Sequence, residues 1–174
     1  MNIAALLYEG DQGSVVDTLL ADVALHLRAA GWKLAGAVQS PGAVRNSRCE
    51  MTLEDLATGT CIEAADPLGP SASGCRLDTG ALEDSVGLAS SSLDPDTRLV
   101  VINRFGKRET DGHGFRSMIE NAVVLDVPIL VGVKRMHLDA WRSFVGGEPF
   151  FLPPVRDEIL RWCETVASSA SSSA

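Results

Sequence analysis

Two short segments carry the residue types that anion chemistry needs. Residues 8–15 read Tyr-Glu-Gly-Asp-Gln-Gly-Ser-Val, after an apolar run Ile3-Ala4-Ala5-Leu6-Leu7 and before an amphipathic helical pattern. Strand, glycine-bearing loop and helix in that order aim backbone N–H groups and a helix N-terminus at an anion. The phosphate-cradling pattern G-x-x-x-x-G-K-[ST] uses its lysine and hydroxyl to hold phosphate charge and Mg²⁺. Laid on this chain it falls on Tyr8, Gly13, Ser14 and Val15, and only Gly13 matches. The second segment is Asn103-Arg104-Phe105-Gly106-Lys107-Arg108-Glu109, directly after the apolar run Leu99–Ile102. Phosphoryl-transfer sites keep carboxylates at such a strand end to hold Mg²⁺ and orient water. Here those two positions are Asn103 and Arg104.

Together these segments define one candidate site. Its expected ligand contacts are Glu9, Gly10, Asp11, Gln12, Gly13, Ser14, Asn103 and Arg104, with Lys107 supplying the missing positive charge from the neighbouring strand end. If any hydrolysis occurs, Lys107 and Glu109 are its expected catalytic residues, Glu109 orienting water or holding Lys107. No metal ligand set is assigned. Structural readings stay open beside these: a tight turn for Gly10 and Gly13, a solvated turn for Lys107 and Arg108, a loop cap for Asn103. His113, between Gly112 and Gly114, reads as a loop residue. Cys49, Cys61, Cys75 and Cys163 form no C-x-x-C pair, so free thiols are expected. A soft-metal or redox role for Cys49 and Cys75 stays open.

The elements that must position these residues read as alternating strands and helices. Ile3 to Leu7 is a strand buried on both faces. Val15, Val16, Leu19, Leu20, Val23, Ala24 and Leu27 recur at helical spacing. Ser14 is expected as the N-cap of that helix, and Gly31 as its stop. Leu34 to Val38 forms the next strand. Met51 to Leu56 and Thr60 to Ala64 flank Ala57-Thr58-Gly59 as a β-hairpin. Residues 67–74 are a Pro/Gly/Ser-rich loop, and Leu82 to Leu93 a helix starting near Asp78 or Thr79. Arg98 to Ile102 and Val127 to Val133 are strands, with a helix between them on Phe115, Met118, Ile119 and Ala122. A short helix ends at Gly146-Gly147, and Pro153-Pro154 opens a last one. The expected fold is α/β, a mostly parallel sheet covered on both faces with one inserted antiparallel hairpin. A single domain over residues 1–166 is expected, followed by a disordered Ser/Ala tail at 167–174.

Composition limits the partners. The chain has 174 residues, 45% hydrophobic and 22% charged, with a net charge of −8. That acidity opposes general nucleic-acid binding, yet it permits one local anion site. No apolar run approaches the ~20 residues that span a bilayer, and no leader pattern is evident. A cytoplasmic protein is expected. A homodimer is compatible with the sequence and not indicated by it.

The segment Val100-Val101-Ile102-Asn103-Arg104-Phe105-Gly106-Lys107-Arg108-Glu109 resembles the strand and Asp-Glu-Ile-Gly-Lys-Met-Glu stretch of the small nucleoside-triphosphatases first described from thermophiles. Gly36-Ala37-Val38-Gln39, Arg45, residues 51–59 and Arg76-Leu77-Asp78 to Leu82 resemble that family too. Cys49-x-Met51-x-Leu53-x-Asp55-Leu56, Gly74 to Asp78 and Asn103-x-Phe105-Gly106-Lys107-x-Glu109 are similar to a bacterial domain-of-unknown-function family within that relationship. Its members are found beside molybdate uptake genes and are often labelled as molybdenum-transport ATP-binding proteins. The resemblance covers roughly residues 1–165. It implies a three-layer P-loop-NTPase-like fold and an ATP, GTP (with Mg²⁺) or molybdate ligand. The lost lysine, hydroxyl and carboxylate each remove a contact of the kind that supports a rate by about 10²–10³. The expected function is therefore binding of a nucleotide or tetrahedral oxyanion, with little or no hydrolysis and a link to molybdenum handling. Two alternatives remain: a divergent triphosphatase using Lys107 and Glu109, and a non-catalytic partner-binding module.

Overall fold

A computed structural model describes residues 2–40, 51–67 and 75–170. In chain order the first elements are β1 (Ile3–Tyr8), α1 (Gly13–Ala29), β2 (Leu34–Gln39), β3 (Thr52–Asp55), β4 (Cys61–Glu63), β5 (Ala65–Pro67) and β6 (Cys75–Leu77). There follow α2 (Thr79–Ser91), β7 (Leu99–Phe105), α3 (Lys107–Thr110), α4 (Arg116–Val124), β8 (Ile129–Lys134), α5 (Leu138–Val145), β9 (Phe150–Phe151) and α6 (Arg156–Ala170).

Seven strands form one sheet in the order β4-β3-β2-β7-β8-β1-β9. The five from β2 to β9 are parallel, and β3 and β4 add an antiparallel hairpin at the β2 edge. This is the P-loop-NTPase-like α/β fold expected from the alternating pattern. The parallel strands are apolar throughout because both faces are covered. On one face Val16 and Leu20 of α1, with Ile159 and Cys163 of α6, pack on Leu6, Val101 and Leu130. On the other, Val86 of α2, Met118 of α4 and Trp141 of α5 pack on Ala5, Ile102, Val131 and Val133. The chain moves one way across the sheet through α1 and back through α2, α4 and α5. Right-handed crossovers therefore put the outgoing and returning helices on opposite faces.

Several local expectations need correction. Ser14 does not cap α1: the helix begins at Gly13, Gln12 is its N-cap without a side-chain bond to the first turn, and the Ser14 hydroxyl donates to the Asp11 carbonyl at 3.4 Å. Asn103 and Arg104 lie inside β7 and not in a loop beyond it, because the strand runs on to Phe105, which buries against Trp141 at 5.0 Å between ring centroids. Lys107 to Glu109 lie in the short α3. Helix α6 runs to Ala170, so residues 167–170 are helical where a tail was expected. The β5–β6 ladder and β9 carry no clear alternation and were not expected. Residues 68–74 of the Pro/Gly/Ser-rich loop, and Arg45 and Cys49, lie outside the described residues.

Asp78 caps α2 by accepting the Ala81 N–H at 3.0 Å, where the sequence placed the helix start.

Candidate functional site

Ligands of open α/β sheets collect at strand carboxyl ends where neighbouring connections leave for opposite faces. Strands β1 and β8 meet that condition. They pair directly, β1 leading to α1 on one face and β8 leading to α5 on the other. The crevice is bordered by residues 9–13 and by the 3₁₀ turn Arg135–His137. Glu9 and Arg135 form an ion pair across it.

The loop folds on itself around Gln12. The Gln12 N–H donates to the Glu9 carbonyl at 3.0 Å, and the Glu9 N–H donates to Gln12 Oε1 at 3.0 Å. Val15 and Val16 donate to the Gln12 carbonyl. The N–H groups of Gly10, Asp11, Gly13 and Ser14 have no protein acceptor among the described residues. Free donors at a helix start carry the positive end of its dipole. Gly10 sits at φ +51, and Gly13 is buried against Tyr8 and Arg104, whose nearest atoms would lie 3.3 and 3.5 Å from a Cβ there.

A bulge in β7 shapes the other wall. Ile102 pairs with Val131 and Phe105 with Val133, so Asn103 and Arg104 together face Gly132. Side chains in a regular strand alternate between faces, whereas a bulge re-aims one of them. Here both side chains reach α1. Asn103 Nδ2 donates to Asp17 Oδ1 at 3.1 Å, and Arg104 Nε donates to the same oxygen at 3.2 Å. Arg104 Nη2 pairs with Asp17 Oδ2. Asn103 Oδ1 accepts the Gln39 N–H at 3.1 Å, which ties the bulge to β2. Gly132 is required opposite: a Cβ there would lie 2.5 Å from the Asn103 carbonyl oxygen.

Asp17 and Asn103 are buried polar residues joined in a satisfied network. Burial alone would lower the Arg104 guanidinium, but its hydrogen bond and charge pairing with Asp17 outweigh that and raise it. Burial also raises the Tyr8 phenol; the Arg104 charge opposes this and the Asp17 charge reinforces it. The Arg104 guanidinium carbon lies 6.0 Å from the Tyr8 ring centre.

The structure thus brings Gly10 to Ser14, Arg104 and Asn103 around one crevice. Lys107 and Glu109 are placed differently. Lys107 Nζ pairs with Asp111 at 2.8 Å in an exposed intrahelical bridge, and that cation holds the Asp111 carboxyl below its ordinary range. Glu109 is buried, and its two oxygens accept the N–H groups of Gly106 at 2.9 Å and Phe115 at 3.0 Å. A Cβ on Gly114 would come within 2.2 Å of that carboxylate.

Three residues that the sequence reading passed over belong to the crevice. Asp17 stands among the polar positions of the α1 pattern, and only the bulge shows it as a hub. Arg135 follows β8. Lys134 pairs with Tyr8 in the ladder, two steps after Gly132, whose Cβ would meet Val16 of α1 at 3.3 Å. Alternation therefore roots Lys134 on the α1 face beside the loop. It is half-buried, and its ammonium makes no hydrogen bond or ion pair among the described residues. A lysine closing an apolar strand at a sheet's carboxyl edge was the available signal.

The family described as "Protein of unknown function (DUF2478)" matches residues 3–162. The chain belongs to this family. This DUF2478 chain is also similar to "Molybdenum import ATP-binding protein ModC 2" of Bradyrhizobium diazoefficiens, 36% identical over 168 residues. That match covers 95% of the chain and 18% of the relative, so the chain spans about a fifth of that protein's length. No solved structure matches it. No helix among the described residues is long and apolar enough to cross a membrane.

The DUF2478 crevice does not fit the Mg²⁺ that P-loop hydrolases employ. The hydroxyl position is Val15, the strand-end carboxylate is an amide, and the nearby Asp17 has both oxygens engaged by Asn103 and Arg104. Hard cations need oxygen ligands, and at the position facing the strand end the one carboxylate, Asp17, is already committed to Asn103 and Arg104.

Proposed function

We propose that this protein binds a small phosphate-type anion, either the terminal phosphate of a nucleotide or a free tetrahedral oxyanion, at residues 9–14 without a metal and without hydrolysis. The observation that carries the reading is the pairing of free loop N–H donors with a filled metal position. Among the described residues Gly10, Asp11, Gly13 and Ser14 keep unpartnered N–H groups, while Asp17, Asn103 and Arg104 bond to one another beside them. The site can attract an anion through amides and the helix dipole, yet it lacks what phosphoryl transfer needs in charge and positioning. Local charge is nearly balanced: Arg104 pairs with Asp17 and Arg135 with Glu9, and Lys134 and Asp11 add one charge of each sign. Binding of modest strength, sensitive to salt, follows from that balance.

The import role in the relative's name makes molybdate the first oxyanion to test, and a cytoplasmic location suits both ligand classes. We further propose one domain over residues 1–166, matching the extent of the family. Hydrolysis of the kind found in the small thermophile triphosphatases has less support, since Lys107 and Glu109 are both engaged elsewhere.

Calorimetry of the pure protein with ATP, GTP, phosphate and molybdate, each without Mg²⁺, tests the reading. Saturable binding of at least one at or below millimolar concentration is expected, lost in Gly13→Val. Absence of binding by all four would leave the fold as a scaffold for a protein partner. Phosphate release that vanishes in both Lys107→Ala and Glu109→Gln would favour the triphosphatase.

A further inference from the structure

Two arginines stand at the crevice, and their counter-ions differ. Arg104 is locked: the Asp17 side chain is 12% exposed, takes the guanidinium on both oxygens, and holds Asn103 as well. Arg135 is held by one carboxylate in solvent. The Glu9 and Arg135 side chains are 60% and 57% exposed, and theirs is the only ion pair either makes among the described residues.

Register sets that pair. The β1–β8 ladder ends on Tyr8 and Lys134, so Glu9 and Arg135 are the next residues along and stand level across the crevice. Gln12 fixes the Glu9 backbone from both sides, its N–H on the Glu9 carbonyl and its Oε1 on the Glu9 N–H, each at 3.0 Å. The Glu9 carboxylate can therefore swing away on its own torsions while the loop keeps its shape. Arg135 is rooted too, its carbonyl accepting the Leu138 N–H in the 3₁₀ turn.

Glu9 is thus an internal anion beside amides that remain open to an external one. Exposed ion pairs contribute little in water, so Glu9 yields readily to a better partner. The guanidinium fork engages two oxygens at once. A planar carboxylate spends both its oxygens there and only equals Glu9. Chloride has no second acceptor atom. A tetrahedral oxyanion gives two oxygens to the fork and keeps two for the amides of residues 10–14, and a second negative charge doubles its attraction to Arg135 at a given distance.

We propose that Arg135 sets the selectivity of the crevice: Glu9 holds it until a doubly charged tetrahedral oxyanion on residues 9–14 displaces the carboxylate and takes the guanidinium over. This rests on the anion reading of those residues and adds a ranking to it, with phosphate, molybdate or a terminal nucleotide phosphate ahead of halides and monocarboxylates.

Phosphate calorimetry of the full chain at low ionic strength, where exposed charges are least screened, tests the exchange through a double-mutant cycle. Glu9→Gln should tighten phosphate at least fivefold when Arg135 is present and less than twofold in Arg135→Ala. Arg135→Lys keeps the charge, loses the fork, and should bind phosphate at least threefold more weakly than the wild type. The Arg135 Nε–H signal in NMR should move with phosphate and molybdate and stay in place with acetate and chloride at equal ionic strength. An equal effect of Glu9→Gln in both backgrounds marks a long-range charge effect and overturns the proposal, as does full phosphate affinity in Arg135→Lys. If that failure comes with phosphate binding that Gly13→Val still abolishes, the loop reading stands without the exchange; if neither the wild type nor Glu9→Gln binds phosphate or molybdate, both fall.

Discussion

Asn103 within β7 donates its amide N–H to Asp17 on the first turns of α1 at 3.1 Å, joining the two walls of the crevice through one buried hydrogen bond. Arg104 reaches the same carboxylate, so Asp17 both holds the bulge in place and neutralises the cation nearest the loop.

Asp17→Asn should separate those roles. Losing the charge leaves Arg104 without its counter-ion and should lower stability by about 1–3 kcal/mol. Freed from Asp17, the guanidinium beside Gly13 should tighten phosphate binding by about 1 kcal/mol, roughly fivefold. Urea denaturation and calorimetry on the same variant read the two opposite signs.

Lys134→Ala should leave the urea midpoint within about 0.5 kcal/mol, since no bond of Lys134 is lost. Phosphate affinity should fall by about 1 kcal/mol at low salt, the difference shrinking as ionic strength rises. Lys107→Ala, removing an exposed bridge, should change neither.

Gly132→Ala tests the bulge. A Cβ 2.5 Å from the Asn103 oxygen must push β7 from β8, at a cost of about 1–3 kcal/mol. Anion affinity should fall with it, because Arg104 loses its place beside Gly13.

Glu109→Ala should cost about 1–3 kcal/mol by leaving the Gly106 and Phe115 N–H groups without their acceptor. Glu109→Gln retains one acceptor oxygen and should recover part of that loss. A thermal melt of both variants checks the order wild type, Gln, Ala.

Burial pushes the Cys163 thiol up to about 12. The folded state then holds its proton above the ordinary thiol range, so this stability is complete below about pH 9 and is lost as pH rises toward 12. Iodoacetamide at pH 8 should modify exposed Cys61 and spare Cys163 until the chain unfolds, as peptide mass spectrometry would show.

The frame was legible in the sequence. Continuous apolar runs gave β1, β7 and β8, Asp78 marked the start of α2, and the Ala57-Thr58-Gly59 turn gave the β3–β4 hairpin. The site was legible only as two segments. Periodicity says which face a residue occupies as long as a strand stays regular, and β7 does not. The bulge at Asn103 and Arg104 turns both toward Asp17, eighty-odd residues away in the chain. The charges nearest the loop were therefore sought at Lys107, on the far side of Gly106, when the ladder places Lys134 beside Tyr8. Short ladders such as β5–β6 depend on tertiary pairing and leave no pattern of their own.

The bond between Asn103 and Asp17 also makes the two positions interdependent. Asn103→Asp, the substitution that would put a carboxylate at this place in the strand, sets two carboxylates about 3.1 Å apart in a buried place. Removing Asp17 instead strands Arg104. Neither position can change alone without a loss of stability, whereas position 14 carries no such bond to a distant element.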